Sequence, residues 1–465
     1  MRSLWLQEAL AREGEDDVPP LRGDERADVC IVGGGYAGLW TALHLKDLDP
    51  SVDVAIVEAD VCGGGASGRN GGFVLTWWPK FATLAKLAGV EEARRLCRAS
   101  EDAVTEIGAF CRVNGIDANY HQDGYLWAAT NDAQRDDWRA TVDGLSRYGE
   151  HPFQELTLVE AAARTGSSVH QGGVLERSCA IVQPALLARG LRRAAQHRGV
   201  RIFERSPMTG LARTEGDPVV RTTTGRLRAP KVVLAMNAWG IRFSEIRRHV
   251  LVIGSDVVAT PPIPDRLAEI GWTDGMAIAD SRLLVNYYRT TDDGRIAFGK
   301  GGGRLAVGSR LGRRFEGEAL WSAGAEESFR RTYPMLADVP IVHRWTGPID
   351  RSRSGVPIFG NLGGHPGLAY GVGFSGNGVG PTYVGGRILA SLALGRQDEW
   401  SGSALVDQAA RRWPPEPIRF VGGSLMRWAL TRVERAHDEG RRPRALDSAL
   451  LDLAPTGLVP MRVRT

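Results

Sequence analysis

The chain has 465 residues, a formal charge of +4, and 43% hydrophobic against 24% charged residues, a balance that supports a large core and excludes a charged, disordered polymer. Only Lys46, Lys80, Lys86, Lys231 and Lys300 are lysines among 58 basic residues, and the arginines are interleaved with acids, so no nucleic-acid-binding face is expected. Five unpatterned cysteines point to a reducing compartment and supply no metal-ligand spacing, so no metal is expected.

The N-terminus mixes Arg2 and Arg12 with Glu8, Glu13, Glu15 and Asp16 and has no apolar segment of the kind a signal peptide needs; a cytoplasmic location is expected. Val29 to Val32 then read as a buried strand, followed by Gly33, Gly35 and Gly38 in G-x-G-x-x-G spacing and a helical pattern through Leu39, Ala42, Leu43 and Leu45. Gly33 permits a tight turn, Gly35 admits a pyrophosphate close to the backbone, and Gly38 lets the helix pack on the sheet. Tyr36 and Ala37 stand at the helix N-terminus, whose free N–H groups favour an anion. A second strand, Val52 to Val57, ends in Glu58 and Ala59, where a carboxylate accepts from both ribose hydroxyls and repels a 2'-phosphate.

A nicotinamide-binding domain would continue with another helix. This chain instead gives Cys62-Gly63-Gly64-Gly65-Ala66-Ser67-Gly68-Arg69-Asn70-Gly71-Gly72. The segment resembles the loop under the flavin in the FAD-dependent D-amino-acid oxidase and glycine oxidase superfamily, and its Gly-Ala-Ser-Gly-Arg-Asn-Gly-Gly form is similar to the gamma-glutamylputrescine oxidase-like branch. The resemblance implies that Ser67, Gly68, Arg69, Asn70, Gly71 and Gly72 meet the pyrophosphate and the ring edge.

Later blocks fall in that family's order. Gln183-Pro184 opens a helix, the strand Val200 to Phe203 follows, and Pro207-Met208-Thr209 corresponds to a strand beside the adenine, with Met208 where valine is usual. Val219 to Arg228 read as a hairpin around Gly225. They lead into Val232 to Trp239, where the resemblance places Ala235, Asn237 and Trp239 at the cofactor. Arg344 to Gly347 and Tyr370 to Gly380 complete the set, bringing Gly347, Gly373, Phe374, Ser375, Gly376, Asn377, Gly378 and Val379 to the flavin. An apolar helix from about Pro381 to Leu394 follows, its N-terminus expected at the pyrimidine end of the ring.

The implied fold is α/β (α+β): a Rossmann-like FAD-binding domain of the glutathione-reductase type, with a discontinuous second domain on a mixed β-sheet. The cofactor domain is expected from residues 1–80, 160–245 and 345–400, the substrate domain from 81–159 and 246–344, and a capping segment from 401–465. Within the substrate domain, Tyr125 to Ala128, Val250 to Ala259, Leu283 to Tyr288 and Arg295 to Phe298 read as strands. Val250 to Ile263, the most hydrophobic stretch, is broken by Asp256, Pro261 and Pro262, so no membrane span is expected. Leu425 to Ala436 is amphipathic and could cap the cofactor domain, contact a partner or lie on a membrane; capping is the default reading.

The resemblance implies hydride transfer from the carbon of a primary or secondary amine to flavin N5, imine hydrolysis, and reoxidation by O2 to H2O2. Such an oxidoreductase needs no triad, paired acids or metal, and none is read here. Asn286-Tyr287-Tyr288-Arg289 is the leading substrate-site candidate; alternation puts at most one of the two tyrosines at the flavin. His121, Tyr125, Trp77 and Trp78 are weaker candidates. Lys300 is preferred over Lys80 as an oxygen-promoting lysine, and Arg289, Arg351 and Arg353 could clamp a substrate carboxylate or phosphonate. FAD is expected to be non-covalent: the last cysteine is Cys179, far upstream of the family's attachment site, and no histidine lies between Ala59 and Lys80. Two alternatives stay open: a dehydrogenase passing electrons to a quinone or carrier protein, and a flavin-holding subunit without turnover. The amine and the oligomeric state are left open.

Overall fold

The computed structural model describes residues 2–14, 18–213, 216–307, 311, 312, 315, 322–408 and 412–454. Two sheets dominate. The first has six strands, with Val29–Val32 at its centre between Val54–Val57 and Lys231–Leu234, all parallel. Arg201–Phe203 and Leu368–Val372 extend it in parallel on either side, and Ile358–Asn361 closes one edge antiparallel. Val29–Val32 and Val54–Val57 are buried at every residue, as a parallel sheet covered on both faces requires. Helices Tyr36–Leu48, Pro184–His197 and Pro381–Leu394 do much of the covering, joined by the N-terminal helix Leu4–Glu13. Gly33 has φ +115° and a side chain there would strike the Ala235 carbonyl, while a Cβ on Gly38 would lie 1.9 Å from the Gly33 carbonyl. The turn therefore excludes every other residue type at both positions. A smaller sheet pairs Gly23–Arg26 with the expected hairpin, Val219–Arg221 and Gly225–Arg228.

The second sheet has eight strands in the order His343–Ser352, Val250–Ala259, Ile296–Lys300, Asn286–Thr290, Ala277–Asp280, Tyr125–Ala128, Gly173–Glu176 and Phe153–Leu156. Its neighbours are antiparallel except Ala277–Asp280 with Tyr125–Ala128, so it is mixed. Two boundaries differ from the sequence expectation. Gly173–Glu176 and His343–Ser352 belong to this sheet, although the sequence places 160–245 and 345–400 in the cofactor domain. Hydrophobic period identifies a strand but not its partner, and here the partners are Tyr125–Ala128 and the full length of Val250–Ala259. The strand expected from Leu283 begins instead at Asn286. The buried Asp280 carboxylate accepts the N–H groups of Arg282 and Asn286 and holds the preceding residues in a turn.

The C-terminal segment serves both sheets. Residues 403–407 lie against the edge strand, Phe359 donating to Leu405 and accepting from Asp407. The helix Ile418–Asp438, which contains the amphipathic stretch, caps the second sheet rather than the first. Its Leu430 and Val433 pack on Leu284, Glu434 accepts the Leu284 N–H at 2.6 Å, and Asp438 pairs with Arg282 at 2.6 Å. Residues 409–411 and 455–465 of the expected cap lie outside the described residues. Among the described residues, no helix is long and apolar enough to cross a membrane.

Tyr288 belongs to the second sheet's core. It stacks on Phe298 with ring centres 4.8 Å apart, and its hydroxyl meets His170 Nε2 at 2.6 Å. His170 Nδ1 faces the Ser167 carbonyl at 3.0 Å and so carries the proton, while burial pushes the imidazole down to about 4. Nε2 therefore accepts from Tyr288. Tyr288→Phe strands that nitrogen and is expected to cost about 1–3 kcal/mol in thermal or urea unfolding of the apoprotein, with cofactor content unchanged. Loss of cofactor with stability intact would place Tyr288 at the site after all.

Candidate functional site

A cavity of about 1350 Å³ runs between the two sheets, larger than the roughly 300–1,000 Å³ of a common small-molecule pocket and long enough in its lining for a dinucleotide with a substrate beside it. One end is lined by Gly33, Gly35, Tyr36, Ala37, Glu58, Ala59, Met208, Ala235, Asn237 and Trp239. The middle is lined by Ser67, Arg69, Asn70, Gly71, Gly347, Phe374, Ser375, Gly376, Asn377, Gly378 and Val379. Gly38, Gly68, Gly72 and Gly373 stand behind this surface and act through the backbone. Two observations fit the implied FAD. The helix Tyr36–Leu48 starts at the cavity wall, so the positive end of its dipole faces the place a phosphate would take. A Cβ on Gly35 would lie 2.9 Å from Ser67 Oγ and fill the cradle. Glu58 accepts N–H bonds from Gly34 and Asp60 and still borders the cavity, so its carboxylate has lone pairs left for ribose hydroxyls.

The side chains of Ser67, Arg69 and Asn70 work mainly within their own loop. Ser67 Oγ accepts the Tyr36 N–H, joining the loop to the glycine turn. Arg69 donates to the carbonyls of Gly64 and Thr346. Asn70 donates to Ala66 and Ser67 and accepts from Gly72.

Strand parity sorts the other candidates. Tyr287 faces the cavity, its ring lying over Gly299, where a Cβ would fall 2.1 Å from the phenol ring, and against Gly71. Ser255 Oγ donates to the Lys300 carbonyl at 3.0 Å, so Tyr287 is the donor in its 2.8 Å contact with Ser255. Burial pushes the Tyr287 phenol up to about 12, and it stays protonated. Lys300 does not reach the cavity. Its cross-strand partner is Asn286, on the face opposite Tyr287, and its ammonium donates to Asn286 Oδ1 and Ser328 Oγ. Arg289 is no substrate clamp either: it is buried and donates to the carbonyls of Gly71 and Val182. Arg353 donates to the Arg412 carbonyl and His121 pairs with Asp292, both outside the lining. Tyr125 and Trp77 line the cavity, whereas Trp78 turns to Glu101.

Lys80 and Arg351 both line the Tyr287 end. Burial holds Lys80 down to about 8, helped by the charge of Arg351, and burial holds Arg351 down to about 10. Ser255 and Asp350 also line the cavity, and neither belongs to a motif. Asp350 is buried on the cavity wall and joins three cofactor-facing segments, accepting from Gly373 N–H at 2.6 Å and Asn237 Nδ2 at 3.2 Å. It steadies Asn237 and Ser375, whose left-handed φ values of 47° and 59° are costly for non-glycine residues.

Residues 28–392 match the family described as FAD dependent oxidoreductase (DAO). The chain is 30% identical over 413 residues to gamma-glutamylputrescine oxidoreductase of Escherichia coli (strain K12), covering 88% of this chain and 91% of that protein. It is 28% identical over 379 residues to glycine oxidase of Pseudomonas aeruginosa, covering 79% and 95%. The crystal structure of glycine oxidase from Geobacillus kaustophilus superposes with a TM-score of 0.64 at 22% identity over 80% of this chain and 96% of that one, which shows the shared fold.

Burial pushes the Asp350 carboxyl up to about 7, against about 3.9 in an unfolded chain. The folded state thus holds the extra proton between those values, so the Asp350 contribution to stability is greatest below about pH 4 and falls as pH rises to about 7. Asp350→Asn does not titrate. Its apoprotein melting temperature relative to the parent is expected to shift upward between pH 5 and pH 8; a constant difference would assign the titration to another group.

Proposed function

The chain belongs to the family of FAD dependent oxidoreductases, and from that premise we propose that it is an amine oxidase acting on a primary or secondary amine that also carries an anionic group. FAD, held non-covalently, supplies the two-electron acceptor for the carbon bearing the amine and delivers the electrons to O2 as H2O2. The names of its relatives, gamma-glutamylputrescine oxidoreductase and glycine oxidase, support the amine class. The non-covalent attachment is supported by Cys62, the loop's own cysteine: it packs against Gly34 outside the cavity lining, and burial pushes its thiol well above the ordinary range.

The observation that carries the substrate reading is the pairing of Lys80 with Arg351 at the Tyr287 end of the cavity. Two cations in a desolvated chamber disfavour an ammonium, so an entering amine gives up its proton and reaches the reactive neutral form. The same cations attract a carboxylate or another anionic group and set the amine's orientation. Phe73, Leu75, Trp77 and Val285 make the rest of that chamber apolar and displace water. The Tyr287 hydroxyl spends its proton on Ser255, so its oxygen lone pairs are left to accept a hydrogen bond from the amine N–H. Lys80 lines the cavity and Lys300 does not, which supports Lys80 as the lysine that stabilises charge developing on oxygen.

Anaerobic mixing with amines sorted by charge tests this directly. Amines with an anionic group are expected to bleach the flavin, and purely cationic diamines to leave it yellow. Arg351→Met should raise KM for anionic amines about tenfold or more, while Lys80→Met should slow reoxidation by O2 on the order of 10²-fold with the anaerobic bleaching rate little changed. Bleaching by diamines alone would refute the anionic substrate. Reduced flavin that persists in air but clears with a quinone would replace O2 by that acceptor. Acid precipitation should leave the flavin in the supernatant.

A further inference from the structure

Five successive carbonyls of the cofactor loop are each held by a donor from another segment. Ser3 Oγ donates to Gly68, Trp345 Nε1 to Arg69 at 2.9 Å, Trp5 Nε1 to Asn70 at 3.0 Å, Arg289 Nε to Gly71 at 2.8 Å, and the Val182 N–H to Gly72 at 2.8 Å. Two of the five donors come from the N-terminal helix, which precedes the family match at residue 28. The donors also hold each other. The Arg289 guanidinium sits 5.2 Å from the Trp5 ring centre, and Trp5 meets Trp345 edge-on at 5.6 Å.

A planar peptide points its N–H opposite to its C=O. Holding the Arg69 and Asn70 carbonyls from behind therefore turns the amides of Asn70 and Gly71 toward the cavity, which both residues line. The helix is fixed independently of the cofactor. Ser3 caps it by accepting the Leu6 N–H, so its hydroxyl serves helix and loop at once. Gln183 donates to the Trp5 carbonyl at 2.9 Å and caps the helix Pro184–His197. At the far end Glu13 pairs with Arg189 at 2.7 Å, and Arg189 donates to the Cys62 carbonyl where the loop begins. The helix thus grips the loop at both ends.

We propose that the N-terminal helix Leu4–Glu13 is a brace for the flavin loop, with Ser3 and Trp5 as positioning residues that aim the Asn70 and Gly71 amides at the cofactor and so set its affinity and reduction potential. The inference rests on FAD as the occupant of the cavity and is independent of the amine.

The test uses full-length protein stripped of flavin and titrated with FAD, with Trp5→Phe and Ser3→Ala as variants. Trp5→Phe keeps a ring against Arg289 and Trp345 but removes the N–H. It is expected to weaken FAD binding about five- to tenfold, the worth of one hydrogen bond. It should also change the visible circular dichroism and the midpoint potential of the bound flavin, with the apoprotein melting temperature nearly unchanged. Ser3→Ala leaves the ring in place and should move the same three readouts in the same direction, which keeps the test decisive if Trp5→Phe is poorly soluble. Unchanged affinity, dichroism and potential in both variants, with or without a lower melting temperature, would overturn the brace and leave ordinary packing. A parent apoprotein that takes up no FAD would overturn the reading on which the brace rests.

Discussion

The peptide groups around the cavity must turn their N–H side inward, and much of the surrounding structure follows from that demand. A cofactor with a pyrophosphate, and a ring that gains negative charge on reduction, are best met by amides, because amides supply positive potential without a charge that must be desolvated. The glycine turn at Gly33 to Gly38 offers the first set, the loop from Cys62 to Gly72 the second, and the stretch from Gly373 to Gly380 the third. Each set needs its carbonyls satisfied elsewhere, since a buried carbonyl without a donor is costly. That need recruits Trp345 and Arg289 from the second sheet and Ser3 and Trp5 from the N-terminal helix. The second sheet is thereby tied to the backbone of the cofactor loop.

The parts legible in the sequence are those where the backbone allows only one residue type. Gly33 and Gly38 could be read because their neighbours, the Ala235 and Gly33 carbonyls, leave no space for a side chain. Glu58 could be read because it ends a strand at a fixed distance from that turn. The alternation of Tyr287 and Tyr288 followed from the pleat alone: one tyrosine faces the cavity, and the other forms a buried pair with His170.

What escaped the sequence depends on pairing between distant strands. Choosing between Lys80 and Lys300 requires knowing that Lys300 stands opposite Asn286 rather than Tyr287, a one-residue difference in register that reverses the face. The sheet membership of Gly173–Glu176 and His343–Ser352 is hidden for the same reason, since both look like strands of either sheet until their partners are known. Arg289 is a different case. Its charge suggests a substrate clamp and the arginine-rich composition a surface charge, yet its value lies in a planar set of donors that reaches the carbonyls of Gly71 and Val182 together.

Charge in the chamber follows the same economy of means. Asp350 borders the cavity, but its two oxygens are committed to Gly373 and Asn237, and burial raises its carboxyl to about 7, which weakens its pull on an incoming ammonium. Lys80 and Arg351 stand at the same end of the cavity as cations. A carboxylate elsewhere in that chamber would hold the amine protonated and remove the lone pair on which oxidation of the adjacent carbon depends. Holding Asp350 on the Gly373 N–H and the Asn237 amide therefore serves two ends: it steadies the left-handed turns at Asn237 and Ser375 and, under the proposed function, it leaves the amine free to lose its proton. Under the proposed function, selectivity among amines turns on the distance from the anionic group to the nitrogen, because the register of His343–Ser352 against Val250–Ala259 and of Asn286–Thr290 in the same sheet fixes the positions of Arg351 and Tyr287.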